Sequence, residues 1–373
     1  MRTPICEKLG IELPIFAFSH CRDVVAEVSK AGGFGVLGAL AFTPEELEVE
    51  LNWIDEHCGG KPYGVDIVMP ATYVGKGGGE DASLEHLFTL IPDEHKQFVE
   101  SHLAAADIGP MPADVQTRIK APSLNVDKDG PGQVAVSLEH PLCRMLVNAL
   151  GPAPKEVIDQ AHEHGILVGA LVGARQHAER QVDLGVDVVV AQGTEAGGHC
   201  GEVSTMVLVP EVVDAVGDRA HVLAAGGIAD GRQMAAGLAL GAEGVWTGTM
   251  WLTVTESETP PDVIENILNA SSRDTVRSKA MTGKPARQLR TKWTEMWEEE
   301  GAPKTLPMPL QGLIFAPASQ RIARAHKQDW HGSPAGQIVG RLNSVRPTKD
   351  VIFTMVEEWL EATERVNSLI QED

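Results

Sequence analysis

Short apolar runs and helix-like patterns alternate eight times along this chain, and that alternation restricts its fold more than any other feature. The runs fall at 14–18, 34–38, 63–68, 144–149, 166–171, 186–191, 221–225 and 243–247. They are rich in Val, Ile, Leu, Ala and Gly, as strands of a parallel sheet covered on both faces must be. A helical pattern over 24–31 stops at Gly32-Gly33, the glycine ending expected of a helix C-terminus. Thr43-Pro44-Glu45-Glu46 opens another helix with a cap, a first-turn proline and a capping box. Further helices are expected at 154–163, 174–184, 206–216 and 230–240. Eight strand–helix units joined by short returns predict an α/β (β/α)8 TIM barrel rather than an open, doubly wound sheet.

The rhythm breaks after the third run. Residues 75–140 carry a glycine cluster, two helical patterns (84–90 and 93–106) and a Pro/Asp/Gly-rich stretch. This reads as an insertion over the barrel mouth, which a surface loop tolerates at little cost in stability. From Thr255 the pattern is helical, closing in a charged helix over 348–369. The expected division is therefore a barrel (1–75 and 141–255), an insertion or lid (76–140) and a helical C-terminal region packing on the barrel (256–373).

Charge narrows the partners. Against 31 Lys and Arg stand 52 Asp and Glu, a net charge of -21. Phosphate polyanions and anionic membrane surfaces are repelled, so no nucleic-acid or membrane partner is expected. The five cysteines are widely spaced and form no C-x-x-C pair, which predicts neither a zinc site nor a disulfide framework. The first residues lack a signal-peptide apolar core, and no apolar run is long enough to span a bilayer. A soluble cytoplasmic protein is the expectation, with self-association as a homo-oligomer left open.

In a TIM barrel the chemistry sits just beyond the strand C-termini, and three stretches there stand out. Ala224-Ala-Gly-Gly-Ile-Ala-Asp-Gly231 follows the seventh run, and its Gly226 and Gly227 let a phosphate approach main-chain N–H groups. Gly248-Thr249 follows the eighth, adding a glycine N–H and a Thr hydroxyl. Loops after strands seven and eight are the usual phosphate site of such barrels. The third stretch, Gln192-Gly-Thr-Glu-Ala-Gly-Gly-His-Cys-Gly201, follows the sixth run. Ala196, Gly197 and Gly198 leave backbone bare beside His199, a side chain able to act as a base near neutral pH. Gln192 can bond the edge of a heterocycle. Cys200 adjoins the histidine, but sequence neighbours generally point apart. The tryptophans Trp246, Trp251, Trp293 and Trp297 read as core.

The Gln192–Gly201 motif resembles the signature of the nitronate monooxygenases, formerly called nitropropane dioxygenases. Ala225-Gly-Gly-Ile-Ala-Asp-Gly231 and Gly248-Thr-Met-Trp-Leu252 are similar to that family's phosphate loops, and Thr282-Gly-Lys-Pro-Ala-Arg287 and Gly336-Gln337 to its later motifs. The resemblance covers most of the chain outside 75–140. It implies noncovalent FMN, no metal, and His199 as catalytic base beside the flavin. It also implies FMN contacts from Ala17, Asp66, Gln192, Ala196, Gly197, Gly198, Gly226, Gly227, Gly248 and Thr249. The chain departs from the pattern in four places. Phe16-Ala17-Phe18-Ser19-His20 replaces an Ala-Pro-Met type turn, Asp66 an Asn, a residue near Leu171 a Lys, and Met250 an Arg. The implied reaction is oxidation of a small nitronate or nitroalkane with O2. The alternatives are an NAD(P)H-dependent flavin enoyl-thioester reductase, whose family shares the Ala-Gly-Gly-His-x-Gly core, and a flavin-binding barrel without catalysis.

Overall fold

The computed structural model describes residues 2–69, 84–112 and 126–370. After a short helix α1 (Pro4–Leu9), eight parallel strands close into a barrel: β1 (Ile15–Ser19), β2 (Phe34–Gly38), β3 (Tyr63–Ile67), β4 (Cys143–Asn148), β5 (Leu167–Val172), β6 (Val188–Gln192), β8 (His221–Ala225) and β9 (Gly244–Thr247). Each overlaps one of the eight apolar runs. Closure comes from β1 against β9, with Phe16 level with Trp246 and Ala17 with Thr247. A two-residue strand, β7 (Gly198–His199), lies outside the barrel in the loop after β6.

Alternation along each strand divides the core in two. Tyr63, Val65 and Ile67 face outward and pack with the surrounding helices, as do Ile15 and Ala17. Phe16, Phe34, Val36, Met145, Val188, Leu223 and Trp246 fill the interior. The rings of Phe16 and Phe34 lie 5.2 Å apart, so the lumen is packed rather than open.

The outer helices are α2 (Arg22–Lys30), α3 (Pro44–His57), α7 (Lys155–Glu163), α8 (Arg175–Asp183), α9 (Thr205–Val216) and α10 (Gly231–Ala239). The capping box at Thr43 forms in full: Glu46 N–H donates to Thr43 Oγ1, and Thr43 N–H to the Glu46 carboxylate. A second, between Asp230 and Gln233, starts α10.

Two further helices complete the ring. Helix α6 (Val126–Glu139) runs from the segment expected to be irregular and packs against α3, β3 and β4. Its Gly132 abuts Pro44, where a Cβ would lie 2.5 Å from the proline Cγ. Gln133 Nε2 donates to the carbonyls of Ala39 and Phe42. Gly132 therefore lets two helices lie close together, which local propensity cannot reveal. The glycine cluster after residue 70 and much of the Pro/Asp/Gly-rich stretch lie outside the described residues. At the other end of the chain, α14 (Thr348–Asn367) packs against α10 and α2. That is the position of an eighth barrel helix, filled after an excursion of about a hundred residues.

The excursion is less helical than its sequence suggests. It holds α11 (Pro261–Asn269), α12 (Lys292–Met296) and α13 (Leu310–Arg324), but also strands β10 (Thr275–Ser278) and β11 (Ala286–Leu289). These two strands join β7 in an antiparallel sheet of order β10-β11-β7. Helices α4 (Leu84–Thr89) and α5 (Asp93–Ala105) form as expected. Their Leu87, Val99 and Leu103 share an apolar cluster with Trp293, Trp297, Leu313 and Ile322 of the excursion. The two regions outside the barrel thus make one joint core. No helix of the described residues is long and apolar enough to cross a membrane.

Candidate active site

The loop after β6 is held in place by glycines that no larger residue could replace. A Cβ on Gly193 would sit 2.0 Å from Thr205 Oγ1, and one on Gly197 would lie 2.8 Å from Gly336 N. Glu195 anchors the middle of the loop: its carboxylate accepts from Thr205 N–H and Oγ1, at the N-terminus of α9. Its carbonyl accepts from Gln337 N–H at 2.9 Å. Glu195 is thus a structural carboxylate here, and the stretch 335–337 is threaded into the site.

His199 lies at the end of this loop, half-buried, paired in β7 with Ala286 of β11. Its Nδ1 is 3.2 Å from the carbonyl of Pro285. A carbonyl only accepts, so Nδ1 carries the hydrogen and the lone pair sits on Nε2. Burial pushes the imidazole pKa below the ordinary histidine value; the Pro285 bond opposes that shift, and the ammonium of Lys284 adds to it. His199 is therefore a neutral base at neutral pH, fixed in one tautomer. Cys200 has no comparable role: burial pushes its thiol up despite Arg287 and Arg277 nearby, and its Sγ lies 3.6 Å from the Thr194 carbonyl.

The loops after β8 and β9 lie alongside. Gly226 and Gly227 both have positive φ (96° and 68°), a conformation glycine adopts without penalty. The same Thr205 hydroxyl, which can donate its one hydrogen to either partner, also lies 2.9 Å from the Gly226 carbonyl and sits between this turn and the His199 loop. Around Gly198 and Gly248 a Cβ would meet open space, so free volume lies against bare backbone. Among the described residues, the N–H groups of Gly227 and Gly248 have no protein acceptor. Thr249 Oγ1 accepts from Gly336 N–H at 2.9 Å and keeps its own hydrogen to donate. Unclaimed N–H groups, a hydroxyl and open space make a cradle that fits a phosphate.

Asp66 lies on the interior face of β3, level with Gly38 of β2 and Val147 of β4. It is 3 % exposed, and its Oδ1 has no hydrogen-bond partner. Burial raises its pKa well above the usual carboxylate range, so the side chain is a neutral acid offering a hydrogen-bond donor. An orphaned buried polar group at the mouth is what a heterocyclic ligand would satisfy. Together with the cradle, it fits the FMN implied by the sequence.

This acid also yields a stability prediction. An unfolded aspartate loses its proton near its ordinary pKa, whereas folded Asp66 keeps its proton to much higher pH. Over that window the folded state binds more protons, so the group lowers stability as pH rises. Asp66→Asn is therefore expected to raise the melting temperature of flavin-stripped protein at pH 7, with the gain shrinking towards pH 4. Thermal melts across that range check it; a variant destabilised at every pH contradicts it.

Not every expected contact is assembled. The methyl of Ala17 packs outward in the core between barrel and helices, and the ring of Phe18 faces inward instead. Met250 is also buried in that outer core, and Leu171 borders the barrel interior, so neither position supplies a cation. His20 is exposed at the mouth, its ring edge-on to Phe18 and its Nδ1 at 3.0 Å from the Gly38 carbonyl. Gln192, at the last position of β6, is level with Ala225 at the end of the neighbouring strand β8. Three residues that sequence reasoning gave no role do contribute: Pro285, Arg287 and Thr205. Arg287, buried, donates to the Thr194 carbonyl at 2.8 Å and braces the loop from outside. Their common signal was the Thr282–Arg287 motif and a Thr after the loop, neither interpretable without the fold.

Comparison with known proteins gives a consistent picture. A family model described as nitronate monooxygenase matches residues 3–358. A Mycobacterium tuberculosis protein named "Putative monooxygenase Rv1533" is 51% identical over 381 residues, covering 100% of both chains. A "Probable nitronate monooxygenase" of Staphylococcus haemolyticus is 28% identical, over 95% of this chain and 96% of its own. Among solved structures, FabK from Thermotoga maritima aligns with TM-score 0.73 and 29% identity, over 99% of this chain and 100% of that one. A nitroalkane oxidase from Streptomyces ansochromogenes aligns with TM-score 0.79 and 24% identity, over 97% and 99%, a likeness of fold.

Proposed function

Because the chain belongs to the nitronate monooxygenase family, we propose that it is an FMN enzyme that oxidises a small alkyl nitronate, or its parent nitroalkane, with O2. The family's members are flavin-dependent oxidoreductases, and this chain is one of them. The observation that carries the finer reading is His199: a neutral, tautomer-fixed base beside a backbone cradle that fits a phosphate.

Gly226, Gly227, Gly248 and Thr249 would hold the FMN phosphate, while Asp66 and Gln192 would meet the ring system. Bound FMN would supply the electron transfer between substrate and O2. The remaining work falls to the chain. His199 Nε2 takes the proton from the carbon next to the nitro group, and the Pro285 carbonyl stabilises the imidazolium that results.

An anaerobic donor screen on the FMN-loaded protein tests this. Propionate 3-nitronate or 2-nitropropane is expected to bleach the flavin, and air to restore it with oxygen uptake. Bleaching by NADH or NADPH alone would favour the enoyl-thioester reductase instead. That second reading rests on the shared Ala-Gly-Gly-His-x-Gly core.

A further inference from the structure

Two positions where the family sets cations, near Leu171 and at Met250, are apolar here, yet one cation stands at the candidate base. Lys284 occupies the turn leading into β11. Gly283 before it has φ +83°, and a Cβ there would lie 2.2 Å from the Leu306 carbonyl and 2.7 Å from Met308 N. The turn is thus pressed against the backbone of 306–308 and fixed in a form that suits glycine. Thr282 Oγ1 locks it further, accepting from Lys284 N–H at 3.3 Å and donating to the Lys284 carbonyl at 3.2 Å. The next residue, Pro285, holds His199.

The Lys284 side chain is half-buried. Among the described residues its ammonium makes no ion pair or hydrogen bond, although the chain has 52 acidic residues to offer. Its charge reaches His199, where it disfavours the imidazolium. The other cations around β7 are committed. Arg277 pairs with Glu202 at 3.1 Å, and Arg287 donates to the Thr194 carbonyl and to Thr275 Oγ1. A half-buried cation without a counter-ion among the described residues, carried on a fixed turn whose next residue holds the candidate base, is suited to receive an anion.

We propose that Lys284 is the anion-recognising residue of the substrate site, selecting small oxyanions such as a nitronate over neutral molecules of the same shape. The proposal rests on the nitronate reading above. When a neutral nitroalkane is the substrate, its carbon-bound proton passes to His199 Nε2. The electron pair left behind spreads onto the nitro oxygens, and the Lys284 charge would stabilise it there.

The test uses FMN-loaded wild type, Lys284→Gln and Lys284→Arg. Nitrite serves as an inert anion probe, read from the flavin absorbance band, alongside turnover of propionate 3-nitronate. Lys284→Gln is expected to raise the nitrite Kd and the nitronate KM about tenfold or more, with a smaller change in kcat. Lys284→Arg should recover most of both. Lys284→Gln should also shift the His199 midpoint in the pH profile upwards, since a repelling charge has gone. Unchanged nitrite Kd and nitronate KM in Lys284→Gln, with full flavin content, overturn the proposal. So does equal loss in both variants together with loss of flavin. If wild type oxidises no nitronate but its nitrite affinity still depends on Lys284 in this way, the anion site stands and the nitronate assignment falls.

Discussion

His199→Ala is expected to lower kcat/KM for a neutral nitroalkane by about 10²- to 10⁴-fold, the usual worth of a positioned general base. Flavin content should stay near that of the wild type, because the phosphate cradle is built by the loops after β8 and β9 and not by the imidazole. With a pre-formed nitronate the loss should be much smaller, since no proton has to be removed from carbon. The pH dependence follows from the direction of the shift. Burial and Lys284 hold the histidine pKa below its ordinary value, so the neutral base persists to lower pH than usual. The kcat/KM for a nitroalkane should rise with pH and level off at a midpoint below that of a free histidine. Equal losses for nitroalkane and nitronate would take the proton-transfer role away from His199.

The largest effect on stability is expected at Gly231→Ala, where α10 meets α14. Gly231 is the first residue of α10, and its Cα meets the backbone of α14. An added Cβ would lie 2.2 Å from both the Met355 carbonyl and Trp359 N. Backbone cannot step aside as a flexible side chain can, so α14 has to move. That would also strain the bond from Gly231 N–H to the Glu358 carboxylate, now 2.8 Å. A cost at the top of the overpacking range, about 3 kcal/mol or more, follows. It should appear as a fall of several degrees in melting temperature and as easier proteolysis of the C-terminal helix. Gly109→Ala, where a Cβ would meet nothing within 4 Å, is the control. A Gly231→Ala protein as stable as that control would mean that α14 is not needed to close the ring.

The barrel strands were legible because their information is local. A buried parallel strand has to be apolar along its whole length, and each of the eight runs carries that mark. The capping box at Thr43 is local too, three residues from cap to partner. Helix α6 was not legible. Gly130, Pro131 and Gly132 argue against a helix in isolation, and only the nearness of Pro44 and the Ala39 carbonyl makes them useful. Strands β10 and β11 were missed for a related reason, since β11 pairs with residues almost ninety positions away.

By itself, then, the sequence determined the barrel, the three glycine-rich loops at its mouth and the histidine in one of them. Strand burial and bare backbone are written in residue type and order. Only the tertiary structure decided which proton His199 carries, that Asp66 is a neutral acid, and that a lone lysine stands at the base. Each depends on groups from distant segments meeting in space, where burial and charge set protonation and spacing along the chain does not.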